Sequence, residues 1–132
     1  MRRPDPRTLV AIYLGGAAGA LLRVWLGVTF ATTPGDWPWT TFVINITGSF
    51  VLGYVATRLQ ERLPQSTYLR PLLGTGFCGA YTTFSTMQVE ILRMLDRDRY
   101  GLAIAYAVTS IVCGYLAIWT ASAMVRRVRV LA

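Results

Sequence analysis

The sequence has no histidine and no lysine, and charged residues make up only 14% of it. A soluble domain carries about a quarter charged residues, so this composition argues against a fold surrounded by water. A His-based catalytic triad and a zinc site are disfavoured because histidine is absent. Cys78 and Cys113 lie in apolar segments without a CxxC pair, and we interpret them as small hydrophobic residues. No nucleophile–base pair is visible, so an enzyme is the least favoured class.

Long apolar stretches are what the sequence does contain. A helix needs roughly 20 mostly apolar residues to cross a bilayer, and four such stretches occupy most of the 132 residues. They predict an all-α membrane protein, with one four-helix domain over residues 1–132 and no soluble domain. The predicted spans are 8–31, 40–61, 68–95 and 101–125, joined by turns at 33–39, 64–66 and 96–100. The first stretch follows two arginines, as in a signal peptide, but it is too long for one.

The thirteen basic residues are all arginine and give a formal net charge of +7. Nine of them flank the spans on the side that holds both termini: Arg2, Arg3, Arg7, Arg58, Arg62, Arg70, Arg126, Arg127 and Arg129. Arg93, Arg97 and Arg99 lie at the opposite side. This bias predicts cytoplasmic termini in a multi-pass protein of the inner or cell membrane. Arginines placed at lipid headgroups disfavour a nucleic-acid partner.

Polar residues recur along one face of two predicted spans. Thr41, Asn45 and Ser49 share a face of the second span, since they are spaced at i, i+4 and i+8. Tyr106, Ser110 and Gly114 have the same spacing and share a face of the fourth span. Each residue alone is explained equally well by helix packing, although a buried asparagine is costly and favours a function for Asn45. One polar lining shared by the helices explains these polar faces better than separate, unrelated occurrences on each helix.

The third span contains the segment GAYTTFSTMQ, at residues 79–88. Paired threonines and glycine weaken a helix, so the segment predicts a break near mid-membrane. The alternative is an unbroken helix whose hydroxyls bond the preceding turn. The ends of a broken helix present free N–H groups to an anion and free carbonyls to a cation.

Two charged residues lie inside the spans. Arg23 is interpreted either as a side chain that snorkels to the interface or as an electrostatic lure at a pore entrance. Glu90 is interpreted as an interfacial carboxylate. The lining offers neutral donors and the positive ring edge of Phe84, which suits a small anion. The residues alone predict a pathway for a small ion or polar solute, and they do not name it.

The segment at residues 76–86, GFCGAYTTFST, resembles the GFxGGxTTFSTF signature of the Fluc family of fluoride channels. The similarity covers about residues 15–115. Further matches are the GALLR run ending at Arg23, Asn45 with Gly48, and Tyr106 with Ser110. Together these motifs, in order on four predicted helices, make the resemblance specific.

The resemblance implies an antiparallel, dual-topology dimer with two pores that passively export fluoride from the cytoplasm. The residues at the positions of the fluoride pore are Phe84, Asn45, Ser85, Thr86, Met87, Thr41, Tyr106 and Ser110. By the same resemblance, Arg23 belongs to the vestibule and Glu90 to a pore end. The backbone carbonyls of Gly79 and Thr82 would hold a structural sodium ion at the dimer axis.

The chain departs from the family pattern at three positions. Met87 stands where a second pore phenylalanine is usual, Ala80 replaces the second glycine, and Gly114 replaces a serine found in some members. The arginine bias leaves open a heterodimer with an oppositely biased paralogue, although a homodimer is favoured because this chain supplies nearly every motif.

Two other functions stay open at this point. A small multidrug-type, proton-coupled transporter also has four helices, but it needs a carboxylate in the first span, which contains none. A non-transporting membrane scaffold would use the polar stripes only for assembly.

Overall fold

The computed structural model describes residues 5–61 and 68–127, and all regular structure within these ranges is helical. The elements are α1 (Pro6–Thr29), α2 (Trp39–Glu61), a π-helix (Pro71–Cys78), α3 (Gly79–Tyr81), α4 (Phe84–Leu95) and α5 (Tyr100–Arg127). The predicted turn at residues 64–66 lies outside the described residues, as do Arg2, Arg3, Arg62 and Arg129.

Three helices are long and apolar enough to cross a membrane: α1, α5 and the Trp39–Gln60 part of α2. The prediction of an all-helical membrane protein is confirmed at this level. The bounds of these helices differ from the predicted ones by two residues or fewer. α1 begins two residues before its predicted start. Asp5 caps the helix there by accepting a hydrogen bond from the Arg7 N–H at 3.0 Å, and Pro6 lies in the first turn.

The glycines of α1 pack directly against the π-helix. A Cβ atom on Gly15 would lie 2.0 Å from the carbonyl oxygen of Leu72, and one on Gly19 would lie 2.3 Å from that of Phe77. Only glycine permits so close an approach of two backbones. The glycine spacing of α1 therefore marks the face that packs against the π-helix, and this packing brings Arg23, one turn later, to the end of α3.

α2 and α5 form the second close pair of helices. Gly53 contacts the backbone of Ile118, and the Thr57 hydroxyl donates to Ser122 Oγ at 3.0 Å. A buried cluster joins α4 to α5, and Phe42 of α2 packs against it; its members are Met87, Met94, Ala103 and Tyr106. Because α4 packs into this cluster, its first turn stays beside the middle of α2.

Large apolar side chains cover the outside of the helices. Leu21 and Val28 of α1 and Ile111 and Tyr115 of α5 are all mostly exposed. Monomeric soluble proteins rarely expose such continuous apolar surface. These faces suit contact with lipid or with another protein chain.

Candidate functional site

The backbone leaves the helical conformation at Thr82 and Thr83, between α3 and α4. Both residues are extended, with ψ of 153° at Thr82 and φ of −144° at Thr83. The Thr83 hydroxyl then caps α4 by accepting a hydrogen bond from the Thr86 N–H at 3.2 Å. The Thr82 hydroxyl turns back to donate to the Cys78 carbonyl at 2.9 Å. The change in direction falls inside the threonine-rich segment that the sequence singled out.

Asn45 of α2 bonds the backbone at this point. Its Oδ1 accepts from the Thr83 N–H at 2.8 Å, and its Nδ2 donates to the Thr83 carbonyl at 3.0 Å. One side-chain amide thus satisfies both backbone groups of an extended residue. Gly48, one turn along α2, lets the Thr82 methyl group approach, since a Cβ there would lie 2.3 Å from that carbon.

These contacts divert two backbone donors from their helical partners. In a continuous helix the Thr83 N–H would bond the Gly79 carbonyl, and the Thr86 N–H would bond the Thr82 carbonyl. The first donates to Asn45 and the second to the Thr83 hydroxyl. The carbonyls of Gly79 and Thr82 are therefore left without their helical donors.

Arg23 reaches the same break from α1. Its Nε donates to the Ala80 carbonyl at 2.9 Å, at the last turn of α3. This bond satisfies one of the carbonyls that a helix C-terminus leaves free, and the positive charge suits that end of a helix. The side chain is half-buried.

Glu90 of α4 is held by hydroxyl groups from two other helices. Thr41 of α2 donates to Oε1 at 2.5 Å, and Tyr106 of α5 donates to Oε2 at 2.8 Å. The Tyr106 side chain is 0% exposed, and the ring of Trp37 packs edge-on against it, with centroids 5.4 Å apart. The expected polar faces of α2 and α5 therefore meet at one carboxyl group. Glu90, expected at the interface, is half-buried between helices.

Two cavities flank the break, and both include Thr83 in their walls. The smaller, of about 230 Å³, is lined by Asn45, Ser49, Leu52, Thr82 and Phe84 as well. The larger, of about 350 Å³, has Arg23, Thr41, Thr86, Glu90 and Arg93 among its other lining residues. Most of the polar residues predicted from the sequence thus line one of two adjoining spaces.

Four predicted pore residues do not line either cavity: Ser85, Met87, Tyr106 and Ser110. Ser110 places a buried hydroxyl oxygen in α5 that has no hydrogen-bond partner among the residues described. Ser85 is exposed at the start of α4, with its hydroxyl 3.4 Å from that of Thr83. Met87 is 8% exposed and belongs to the same buried cluster as Tyr106.

Sequence reasoning missed three features of this region. The π-helix Pro71–Cys78 was not predicted, because π-helices are rare and have no strong sequence pattern. Thr83 was not assigned a role, although threonine is among the residues preferred at a helix N-cap. Arg93 was counted only as a loop-side charge.

Polar groups gathered at a break between helices, behind apolar outer faces, define a helical membrane protein with a polar internal site. Comparison with known proteins gives the family. The family described as "CrcB-like protein, Camphor Resistance (CrcB)" matches residues 10–122. The chain belongs to this family, and the resemblance to the Fluc channels drawn from its motifs is confirmed.

Individual relatives extend the similarity along the chain. The chain is 56% identical over 130 residues to the "Fluoride-specific ion channel FluC 1" of Mycolicibacterium paratuberculosis, and 53% identical over 130 residues to that of Mycobacterium bovis. Each alignment covers 98% of both proteins. The "Fluoride-specific ion channel FluC 2" of Nocardia farcinica is 42% identical over 102 residues, which is 77% of this chain and 73% of that one. These relatives are named as channels, in agreement with the prediction that the chain is not an enzyme.

Proposed function

We propose that this protein is a fluoride-selective channel through which fluoride leaves the cytoplasm passively. The observation that carries the proposal is the 56% identity, over 98% of both chains, to a relative named as a fluoride-specific ion channel. The site adds physical support, because neutral polar groups gather beside a break in a helix and the smaller cavity there has no charged lining residue.

The donors around the break suit a small anion that must shed its water. An asparagine amide has two N–H groups, and Asn45 uses only one of them on Thr83. The Ser110 hydroxyl is buried without a partner among the described residues. Neutral donors replace hydration without trapping the ion. The proposed path therefore uses Asn45, Ser110 and the ring edge of Phe84, together with Thr41, Ser85, Thr86 and Tyr106.

Met87 has a different place in the proposal. We assign it to the wall behind the path, where it shares a buried cluster with Tyr106. Glu90 and Arg23 are assigned to the pore end and vestibule, where both line the larger cavity.

A second copy of the chain is part of the proposal. The Phe84 side chain is 71% exposed, whereas a dehydrated ion has to be enclosed on every side. Another chain, packed against the open side of the smaller cavity, would supply the missing wall. We therefore propose an antiparallel homodimer with two pores. In it the π-helix, α3 and α4 form a third membrane span that is broken near its middle, and residues 1–132 form one channel domain.

A sodium ion fits the backbone groups at the break. Carbonyl oxygens are hard ligands that suit hard cations, and the carbonyls of Gly79 and Thr82 have lost their helical donors to Asn45 and to the Thr83 hydroxyl. We propose that these carbonyls hold a structural sodium ion at the dimer axis. When bound, it would supply positive charge between the two copies.

The proposed location is the inner or cell membrane, with the chain crossing several times. The described arginines Arg7, Arg58, Arg70, Arg126 and Arg127 would lie on one side, at anionic lipid headgroups. A heterodimer with an oppositely biased paralogue is the alternative assembly.

A flux assay tests the function. Purified protein is placed in liposomes loaded with potassium fluoride, and a potassium ionophore lets the counter-charge move. A fluoride electrode should record rapid release, while liposomes loaded with chloride should retain their anion. Absence of fluoride release from protein that elutes as a folded species would overturn the proposal. Proton-driven uptake of a cationic drug would favour the multidrug transporter, and no transport at all would favour the scaffold.

A further inference from the structure

The larger cavity carries three charged side chains on its wall. Arg23 comes from α1, while Glu90 and Arg93 come from successive turns of α4. Arg93 is exposed, and it lies near enough to the Glu90 carboxyl group to attract its negative charge. Its guanidinium makes no hydrogen bond or ion pair with the part of the chain that the structure describes. Apart from its attraction to Glu90, its positive charge is available to a mobile ion.

The balance of these charges decides which ions the cavity attracts. An ionised Glu90 cancels one arginine, so the cavity is net positive only while both arginines are present. Arg23 is also engaged with the Ala80 carbonyl. A net charge in a cavity with low-dielectric walls raises the local concentration of ions of the opposite sign. Without Arg93, the carboxyl group would offset Arg23 and the attraction for anions would be lost.

We propose that Arg93 is a second anion-attracting residue, which offsets Glu90 and raises the concentration of small monovalent anions in this cavity. The inference rests on the proposed fluoride conduction and adds to it a role that the motifs do not assign. Arg93 acts at a distance in this proposal: it speeds the arrival of the anion and takes no part in selecting fluoride at the break.

A purely structural role for Arg93 makes different predictions. The residue lies in the last turn of α4, where a positive charge stabilises a helix through its dipole by about 0.3–1 kcal/mol. That role would change the melting temperature slightly. It would not make the fluoride dependence of the flux sensitive to ionic strength.

The experiment compares Arg93→Gln, Arg93→Lys and Arg97→Gln in the liposome assay. Arg97 is a matched control, because it is exposed on the adjoining connector and does not line the cavity. Initial fluoride flux is measured from low to saturating fluoride, first at low ionic strength and then with an impermeant salt added. Melting temperature and gel-filtration profile are recorded for every variant.

The expected result is that Arg93→Gln lowers flux at low fluoride about three- to tenfold, with little change at saturation. Added salt should reduce the difference from the wild type, because it screens exposed charges. Arg93→Lys and Arg97→Gln should resemble the wild type. The proposal is overturned if Arg93→Gln behaves as the wild type at low fluoride, or if Arg97→Gln causes an equal loss. A wild type without flux overturns the channel function itself, which separates the two failures.

Discussion

Asn45 and Thr83 are joined by two hydrogen bonds in opposite directions, between a side-chain amide and the backbone N–H and carbonyl of an extended residue. The distances are 2.8 and 3.0 Å. The pair connects α2 to the break between α3 and α4. A buried backbone group without a partner costs free energy comparable to a lost hydrogen bond, so Asn45 stabilises a backbone conformation that would otherwise be unfavourable.

Replacement of Asn45 by aspartate should abolish fluoride flux. An ionised aspartate can still accept from the Thr83 N–H, but it cannot donate to the Thr83 carbonyl, and it puts a negative charge beside the proposed anion path. Loss of the donor to a buried carbonyl should also lower the free energy of unfolding by about 1–3 kcal/mol. Flux is measured with the fluoride electrode, and folding by gel filtration. A folded variant with unchanged flux would remove Asn45 from the path.

Replacement of Gly19 by alanine should destabilise the protein. The added Cβ would lie 2.3 Å from the Phe77 carbonyl oxygen, so α1 and the π-helix would have to move apart. The expected loss is about 1–3 kcal/mol, typical of an overpacked interface. Thermal unfolding in detergent measures it. Gly27→Ala is the matched control, because a Cβ there meets nothing within 4 Å; equal melting temperatures for the two variants would contradict the close approach.

Replacement of Tyr106 by phenylalanine should reduce flux and stability together. The change removes the hydroxyl that donates to Glu90 Oε2 at 2.8 Å and leaves that oxygen short of a donor. We expect a loss of about 1–3 kcal/mol, with the proposed pore end disturbed. Tyr100→Phe is the control, since it removes a hydroxyl that donates to an exposed carboxylate, Asp98, at 3.1 Å. If both variants have the fluoride flux and melting temperature of the wild type, the Tyr106–Glu90 hydrogen bond contributes to neither conduction nor stability.

Serine should be tolerated at Gly114 but not at Gly53. A Cβ on Gly114 would lie 3.7 Å from Ser49 Oγ, an ordinary contact, whereas one on Gly53 would lie 2.9 Å from the Ile118 backbone. Gly114→Ser should therefore keep its melting temperature and its fluoride flux, with one more hydroxyl on the polar face of α5. Gly53→Ser should melt at a lower temperature. The reverse order of melting temperatures would show that the α2–α5 packing is described wrongly.

The sequence predicted the parts of the structure that depend on local pattern. The lengths of the apolar stretches predict α1, α2 and α5, because a membrane-spanning helix needs about 20 apolar residues whatever its neighbours are. The threonine pair at residues 82 and 83 marks where the backbone becomes extended, since hydroxyls compete for backbone hydrogen bonds. The small-residue spacing of Gly15 and Gly19 in α1 is likewise a local pattern, typical of a close-packed helix face.

The parts that the sequence could not give depend on residues far apart in the chain. Asn45 and Thr83 are 38 residues apart, and Thr41 and Glu90 are 49 apart. Their pairing follows only from how α2 packs beside α4. The π-helix was missed because its i to i+5 hydrogen bonds are rare and have no strong sequence pattern. Met87 occupies a motif position where a phenylalanine is usual, but its buried place beside Tyr106 depends on the packing of α5.

A reversal-potential measurement in a planar bilayer tests the central claim most directly. The two sides hold equal potassium, a tenfold gradient of fluoride, and an equal and opposite gradient of chloride. If fluoride alone passes, the current should reverse at about 59 mV in magnitude, with the sign set by the fluoride gradient. A reversal near zero, or one with the sign set by chloride, would contradict a fluoride-selective path through this protein.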